Sequence, residues 1–421
     1  MDFLSAIPVK TLHSLRNPEY NAEQLRKVAD FFLGGSRFEG VKGEYLYRRM
    51  IETALSSEFE ERVRRANYTN HLAPIIRWWA EAGVYDPARF DDGTFDETTK
   101  RFTTPEAAKV GESLTNLAYL LTLYALRDGW AWVRVKYETD DGEPWLEILP
   151  AEAVDDWDGG GSYVRLYSED KEKRDAFTPA VKIQRWTYVT EDETVIYEYR
   201  CTSESTTTEP VAVLAERTPH PVLGVLPYKM FRLPESFDLG NVLINPTQAL
   251  FNLEANLEWL LAKQAFSVLV LKTDLKADKV VISEQSALSV GASGDAKYIA
   301  PDAQLPGQLA LQIERRRAAL YQLAEQSALL VTGKYGNASA ASKRRDYHSL
   351  DVSLTFLTRR VRNMMNDGFD MLTEVTHKKY PEVIGMETFN LSTPEEEEAD
   401  DDKEQKVSQT GSQDEPKQKE D

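Results

Sequence analysis

Residues 331 to 351, VTGKYGNASAASKRRDYHSLD, set a run of glycine, alanine and serine directly before Lys343, Arg344 and Arg345, a dense internal basic cluster of the chain. A glycine-rich turn that feeds a helix can present backbone N–H groups to an anion, so phosphate binding is the first chemistry to test. The spacing refuses it. A nucleotide-binding loop of the Walker type needs four residues between its first glycine and a Gly-Lys-Ser/Thr triplet, whereas Gly333 is followed at once by Lys334 and Tyr335.

Other reactive groups are no better placed. The five histidines, His13, His71, His220, His348 and His377, are scattered, with no pair at helical metal-ligand spacing. Each reads as a surface or satisfied structural histidine. Ser293 in GASGD has no G-x-S-x-G context. Asp155-Asp156-Trp157-Asp158 offers carboxylates for acid/base work, but neighbours on a strand point to opposite faces. The stretch reads as a solvated turn after a strand. Cys201 is the only cysteine, which excludes an intrachain disulfide and thiolate-rich metal sites, and it reads as a small half-buried hydrophobe in a strand. Asp400 to Asp402 lack the spaced ligands and glycine turn of a calcium loop. No catalytic residue, cofactor or metal ligand is implied.

The elements that must carry these residues follow from composition and pattern. With 421 residues, 42% of them hydrophobic, the chain is of the globular class and long enough for two or three domains. No run of eighteen apolar residues occurs, and the first twenty residues lack the basic-then-apolar order of a signal peptide, so the expectation is a soluble, cytoplasmic protein with no membrane partner. The formal charge is −19, of which −8 lies in Pro394 to Asp421, a segment without an aromatic residue. That composition predicts a disordered, self-repelling tail. The remaining chain is still acidic, too acidic to grip nucleic acid by general charge, so any contact with DNA must be local.

Three territories appear. Up to about residue 127 the pattern is helical. Asn17-Pro18 reads as a helix cap and first-turn proline, Gly34-Gly35 as the stop, and apolar residues recur at spacings of three and four beyond. From Trp130 to about Pro227, short runs rich in Val, Ile, Tyr and Trp alternate with turns such as Asp140-Asp141-Gly142 and Gly159 to Gly161, the pattern of an antiparallel meander. In the third, Asn245-Pro246 again reads as a cap. Leu250, Leu253, Leu257 and Leu260 then form a stripe, with Asn252, Glu254, Asn256 and Lys263 off it. A compact segment with strand-like ends follows. Next comes a helix with Leu309, Ile313, Leu320, Leu323 and Leu330 on its apolar face, then the glycine-alanine-serine run, then a long helix carrying Leu350, Leu354, Leu357, Val361, Met364 or Met365, Phe369 and Leu372.

The order of these pieces carries a resemblance. EYLYRRMIETALSSEFEERVRRANYTNHLAPIIRWWAEAGVYDP, with Ala66, Tyr68, Asn70 and Gly83, is similar to the opening of tailed-bacteriophage portal proteins. LRDGWAWVRVKYE followed by PWLEILPAEAVDDW resembles that family's glycine-led strand pair and its turn, and HPVLGVLPYKMFR resembles the strand before its stem. The resemblance spans residues 40 to 390 or so. It implies an α+β, portal-like fold: a wing over 1–245 (helical 1–127, β-rich 128–245), a first stem helix over 246–266, a small α/β clip over 267–303 and a second stem helix over 304–331. A tunnel loop over 332–342, a long helix with a reduced crown over 343–392 and an acidic tail over 393–421 complete it.

It further implies a homo-oligomeric ring, usually a dodecamer, at a capsid vertex of the virion, which conducts double-stranded DNA without reading sequence. Its partners would be the terminase large subunit, the major capsid or scaffolding protein and a head-completion adaptor. Lys334, Tyr335 and Asn337 would be the DNA-facing groups of the loop. Lys343, Arg344 and Arg345 would meet DNA or a neighbouring subunit, because cations at a helix N-terminus oppose the macrodipole and call for an acidic partner. An acidic lumen with few cations suits sliding, since each neutralised phosphate adds affinity. Two other readings stay open: a soluble hydrolase or transferase using carboxylates such as Asp155 or Asp156, and a helical interaction scaffold without DNA.

Overall fold

A computed structural model describes residues 3–50, 52, 56–91, 99, 102, 113–136, 144–172, 181–201, 210–222, 224–264, 268–272, 295–299, 304–324 and 340–386. The fold is α+β, with helices and antiparallel sheets. The chain divides into two compact units. One comprises Met1–Trp78, Leu123–Arg134 and Ile148–Gly333, the other Trp79–Thr122, Val135–Glu147 and Lys334–Asp421.

In the first unit, strand β1 (Ala6–Pro8) leads into helix α1 (Val9–Ser14), followed by α2 (Ala22–Leu33) and α3 (Gly35–Tyr45). The expected start at Asn17-Pro18 is corrected. Asn17 makes a turn in which its Oδ1 accepts the Glu19 N–H at 2.9 Å, and α2 begins after Asn21, whose side chain accepts the Gln24 N–H at 3.0 Å. Both asparagines use the same local chemistry, so sequence does not separate turn from cap. The stop is where the glycines place it: Gly34 has a φ of 59°, a left-handed conformation that an L side chain resists. Helix α4 (Ser56–Arg65) and the start of α5 (Leu72–Gly83) follow.

Residues that carried the family resemblance tie these helices together. Tyr68 donates its hydroxyl to the Phe31 carbonyl at 2.8 Å, and Asn70 donates to the Phe32 carbonyl at 2.9 Å while its Oδ1 accepts the Ala73 N–H, capping α5. Ala66 is buried, and its carbonyl accepts from Lys42 Nζ at 2.8 Å. Around them Phe31, Phe38, Tyr45, Tyr68 and Phe251 pack ring against ring, with centroids 4.3 to 6.2 Å apart.

The β-rich territory holds the expected meander. Strands β5 (Val154–Trp157), β6 (Tyr163–Glu172), β7 (Val181–Thr190), β8 (Glu193–Cys201) and β9 (Val211–Pro219) are successive antiparallel neighbours, and β1 closes the edge beside β9. The alternation of large residues buries Trp186, Tyr188, Val195 and Tyr197 against Val9 and Leu12 of α1. Two features were not expected: β1 lies in the territory read as helical, and β3 (Trp130–Lys136), β4 (Trp145–Pro150) and β10 (Tyr228–Arg232) form a separate three-stranded sheet. Cys201 does end a strand, but it is exposed, not half-buried.

Helix α7 spans Leu239–Gln264, which corrects the start expected at Asn245. Pro246 lies inside it; Asp238, just before it, accepts the Asn241 N–H at 3.2 Å and sets the beginning. Gly240 is required here, because a Cβ would stand 1.7 Å from the Arg127 carbonyl oxygen. Arg127 belongs to α6 (Leu114–Asp128). Beyond α7, β11 (Val268–Lys272) pairs antiparallel with β12 (Asp295–Ile299), in register Val268 to Ile299, so the strand-like ends of the compact segment after α7 meet. Helix α8 (Gln304–Leu323) then packs back on α7.

The second unit is organised on α9 (Ala340–Thr376), whose Leu354, Leu357, Val361, Met364, Met365, Phe369 and Leu372 are buried, as the stripe predicts. Strands β2 (Arg89–Phe90) and β13 (Val383–Ile384) pair beside it, and Asn366 bonds both backbone groups of Val383. Among the described residues, no helix is long and apolar enough to cross a membrane.

Candidate functional site

Asn252 and Asn256, off the leucine stripe of α7, together with Gln248 are the hooks that fasten this helix. Gln248 and Asn252 both donate to the Tyr45 carbonyl, at 2.9 and 3.0 Å, and Asn252 Oδ1 accepts the Tyr47 N–H at 2.7 Å. One turn further, Asn256 Oδ1 accepts from Arg49 at 2.6 Å and from Arg62 at 3.3 Å. The Arg49 guanidinium also lies 4.4 Å from the centroid of the Trp259 ring. Arg62 is itself buried against Glu52, with nitrogens 2.7 and 2.8 Å from the two carboxylate oxygens, and gives a further hydrogen bond to the Tyr47 carbonyl. Burial pushes the Glu52 carboxyl up, but Arg62 and the Arg49 N–H outweigh it and leave it below the ordinary carboxylate range. A buried ion pair is tolerated when its remaining hydrogen-bonding groups are also satisfied, and here they go to the Tyr47 carbonyl, the Arg49 N–H and Asn256 of α7.

Helix α8 is less finished. Of its large apolar residues only Ile313 and Leu320 are buried, whereas Leu305, Leu311 and Leu323 remain 48%, 51% and 50% exposed. The expected face of Leu309, Ile313, Leu320 and Leu323 is therefore half covered, and Leu330 falls outside the described residues. Sequence reasoning also passed over Arg315, Arg316 and Arg317, three adjacent cations as dense as Lys343 to Arg345. Arg317 pairs with Glu314 at 3.2 Å, while Arg315 and Arg316 are exposed and form no ion pair among the described residues. The run of three arginines was itself the signal that would have found them.

Of the residues expected to face DNA, Lys334, Tyr335 and Asn337 lie outside the described residues. Lys343, Arg344 and Arg345 stand on the backbone of the first two turns of α9, which begins at Ala340, three residues earlier than expected.

The carboxylates of the alternative reading are placed differently from the expected solvated turn. Val154 to Trp157 form a buried strand, and Asp155 is sealed in it, gripped by Arg165 Nε and Nη2 at 2.8 and 3.0 Å, with Arg16 at 3.6 Å. Asp156 accepts from the Tyr163 hydroxyl at 3.1 Å; burial pushes its carboxyl above the usual range against the pull of Arg165 and Tyr163. Tyr163 in turn is pushed up to about 12 by burial and by Asp156. Only Asp158 is the solvated turn residue, accepting from the Ser162 hydroxyl at 2.9 Å. A carboxylate held on both oxygens inside a sheet is a structural anchor, not a free base.

The described histidines sit in structural settings. His13 packs on Trp186 and Tyr167, His220 bonds the Thr194 hydroxyl at 2.8 Å, and His377 is exposed at the end of α9. His71 is buried with Nε2 lacking a hydrogen bond, 3.9 Å from Glu254 of α7, and its ring meets Tyr321 of α8. The His348 side chain and Ser293 lie outside what is described.

No family model matches the sequence, and no curated protein matches it. Among solved structures, a chain of "Virion of native gene transfer agent (GTA) particle" is 11% identical, with 82% of this chain and 86% of that one covered and a TM-score of 0.39. A chain of "Neck of empty GTA particle computed with C6 symmetry" is 12% identical over the same shares, with a TM-score of 0.41. Likeness at this level carries no argument about function.

Proposed function

We propose that this chain is the subunit of a closed ring at a capsid vertex, a portal through which double-stranded DNA is packaged and later released, without catalysis of its own. The observation that carries the reading is the sequence of elements after residue 238. Helix α7, hooked to the neighbouring helices by Asn252 and Asn256, runs to a β11–β12 pair; α8 returns against it, and a 37-residue helix follows the glycine-alanine-serine run. This is the order that the resemblance of the sequence assigns to stem, clip, stem, tunnel loop and long helix.

In this reading Lys334, Tyr335 and Asn337 touch phosphates without reading bases. The clip docks an ATP-driven terminase that supplies the force, a head-completion adaptor binds after packaging, and the capsid or scaffolding protein surrounds the wing. Electron microscopy of the protein, alone and co-expressed with its capsid partner, is expected to show rings incorporated at one vertex. Compact monomers under both conditions overturn the proposal. Lys334→Ala and deletion of Gly336 to Ala341 are expected to leave assembly intact and lower packaged DNA; unchanged packaging removes the loop from the function.

A further inference from the structure

Among the described residues, the exposed faces of α7 and α8 carry side chains without ion-pair partners, and those faces match each other in chemistry. On α8, Leu311 and Arg315 are four residues apart and share a face; Leu311 is 51% exposed, and Arg315 is exposed without an ion pair among the described residues. On α7, Glu258 and Leu261 are three residues apart and share a face; Leu261 is 47% exposed, and Glu258 is likewise exposed without an ion pair among the described residues. We propose that copies of this chain join by laying α8 of one against α7 of the next, Leu311 on Leu261 and Arg315 with Arg316 on Glu258. The inference rests on the ring reading above and names the contact that closes the ring.

Heights along the helices agree. His71 lies beside both Glu254 of α7 and Tyr321 of α8, so these two positions are level. The helices pack together and run in opposite directions, joined through the antiparallel β11–β12 pair. At 1.5 Å per residue, Glu258 is about 6 Å beyond that level and Arg315 about 9 Å. Leu261 and Leu311 are about 10 and 15 Å beyond it. Rotation about a ring axis along which the helices run keeps every residue at its height, so each pair meets within the reach of its side chains. Charge also selects the occupant. Two α8 faces laid together would set Arg315 and Arg316 against the same cations, so the surface rejects a symmetric α8–α8 dimer and accepts a different, acidic surface. An interface between two unlike patches is heterologous, the kind that generates rings.

The test uses the full chain. Glu258→Arg and Arg315→Glu alter exposed side chains, and circular dichroism with thermal melts of each variant is expected to match the parent. Native mass spectrometry and sedimentation are expected to show each single reversal raising the concentration needed for ring assembly by at least about tenfold, and the double reversal restoring it. Leu311→Asp is expected to abolish rings while leaving the melt unchanged. Parent rings that are indifferent to the single reversals, or a double reversal that assembles no better than either single one, overturn this interface and leave the ring reading standing. A parent chain that forms no ring even with its capsid partner overturns both.

Discussion

Arg165 holds both carboxylate oxygens of Asp155, at 2.8 and 3.0 Å, and neither side chain reaches solvent. Removing one member strands a buried charge, which costs about 3–5 kcal/mol, whereas replacing both by apolar residues of similar volume is close to neutral. Arg165→Leu is therefore expected to lower the urea midpoint sharply, and Arg165→Leu with Asp155→Leu to recover most of the loss. Equal midpoints for the single and double variants would show that the pair does not hold the sheet.

Gly240 leaves no room for even a methyl group, since a Cβ would sit 1.7 Å from a backbone oxygen. Overpacking against backbone cannot be relieved by turning a side chain. Gly240→Ala is expected to cost about 3 kcal/mol or more, read as loss of soluble yield or a depressed thermal midpoint.

Burial holds His13 and His220 below their ordinary value of 6.5. Below that pH the unfolded chain binds more protons than the folded one, so stability is present above pH 6.5 and declines as pH falls through the folded-state values. A urea midpoint measured at pH 5.5 is expected to lie below that at pH 7.5, and His220→Asn to shrink the difference.

Asn256→Ala removes the acceptor shared by Arg49 and Arg62. Hydrogen bonds to charged groups contribute about 1.5–3 kcal/mol each, and the loss is local. Hydrogen exchange is expected to quicken in the second half of α7 and to stay unchanged in the meander.

Much of this was legible from local chemistry. Gly34 stops a helix because its own φ is positive, the apolar stripe of α9 is a property of spacing, and the strand-like ends of the segment after α7 pair with each other. What was missed depends on partners distant in sequence. Asp155 reads as a turn residue until Arg165, across the hairpin, neutralises it, and β1 has three residues whose only strand signal is the β9 edge. Asn245-Pro246 mimics a cap because nothing nearby reveals that Asp238 has already started the helix. Of the candidate site, the polar hooks of α7 were visible as residues off the stripe, though not what they would grasp. The exposed cations of α8 were present in plain sequence and outweighed by a more suggestive loop.

Pro246 gives α7 a mechanical character that a plain helix lacks. Proline has no N–H, so the Val242 carbonyl four residues earlier receives no helical hydrogen bond, and the rod has one compliant joint. Below that joint lie only about the first two turns; the segment beyond it carries the hooks at Gln248, Asn252 and Asn256. A pull on the far end is thus borne by the hooks before it reaches the joint, and twist left over is absorbed at one peptide step instead of being passed to Gly240 and its tight seat.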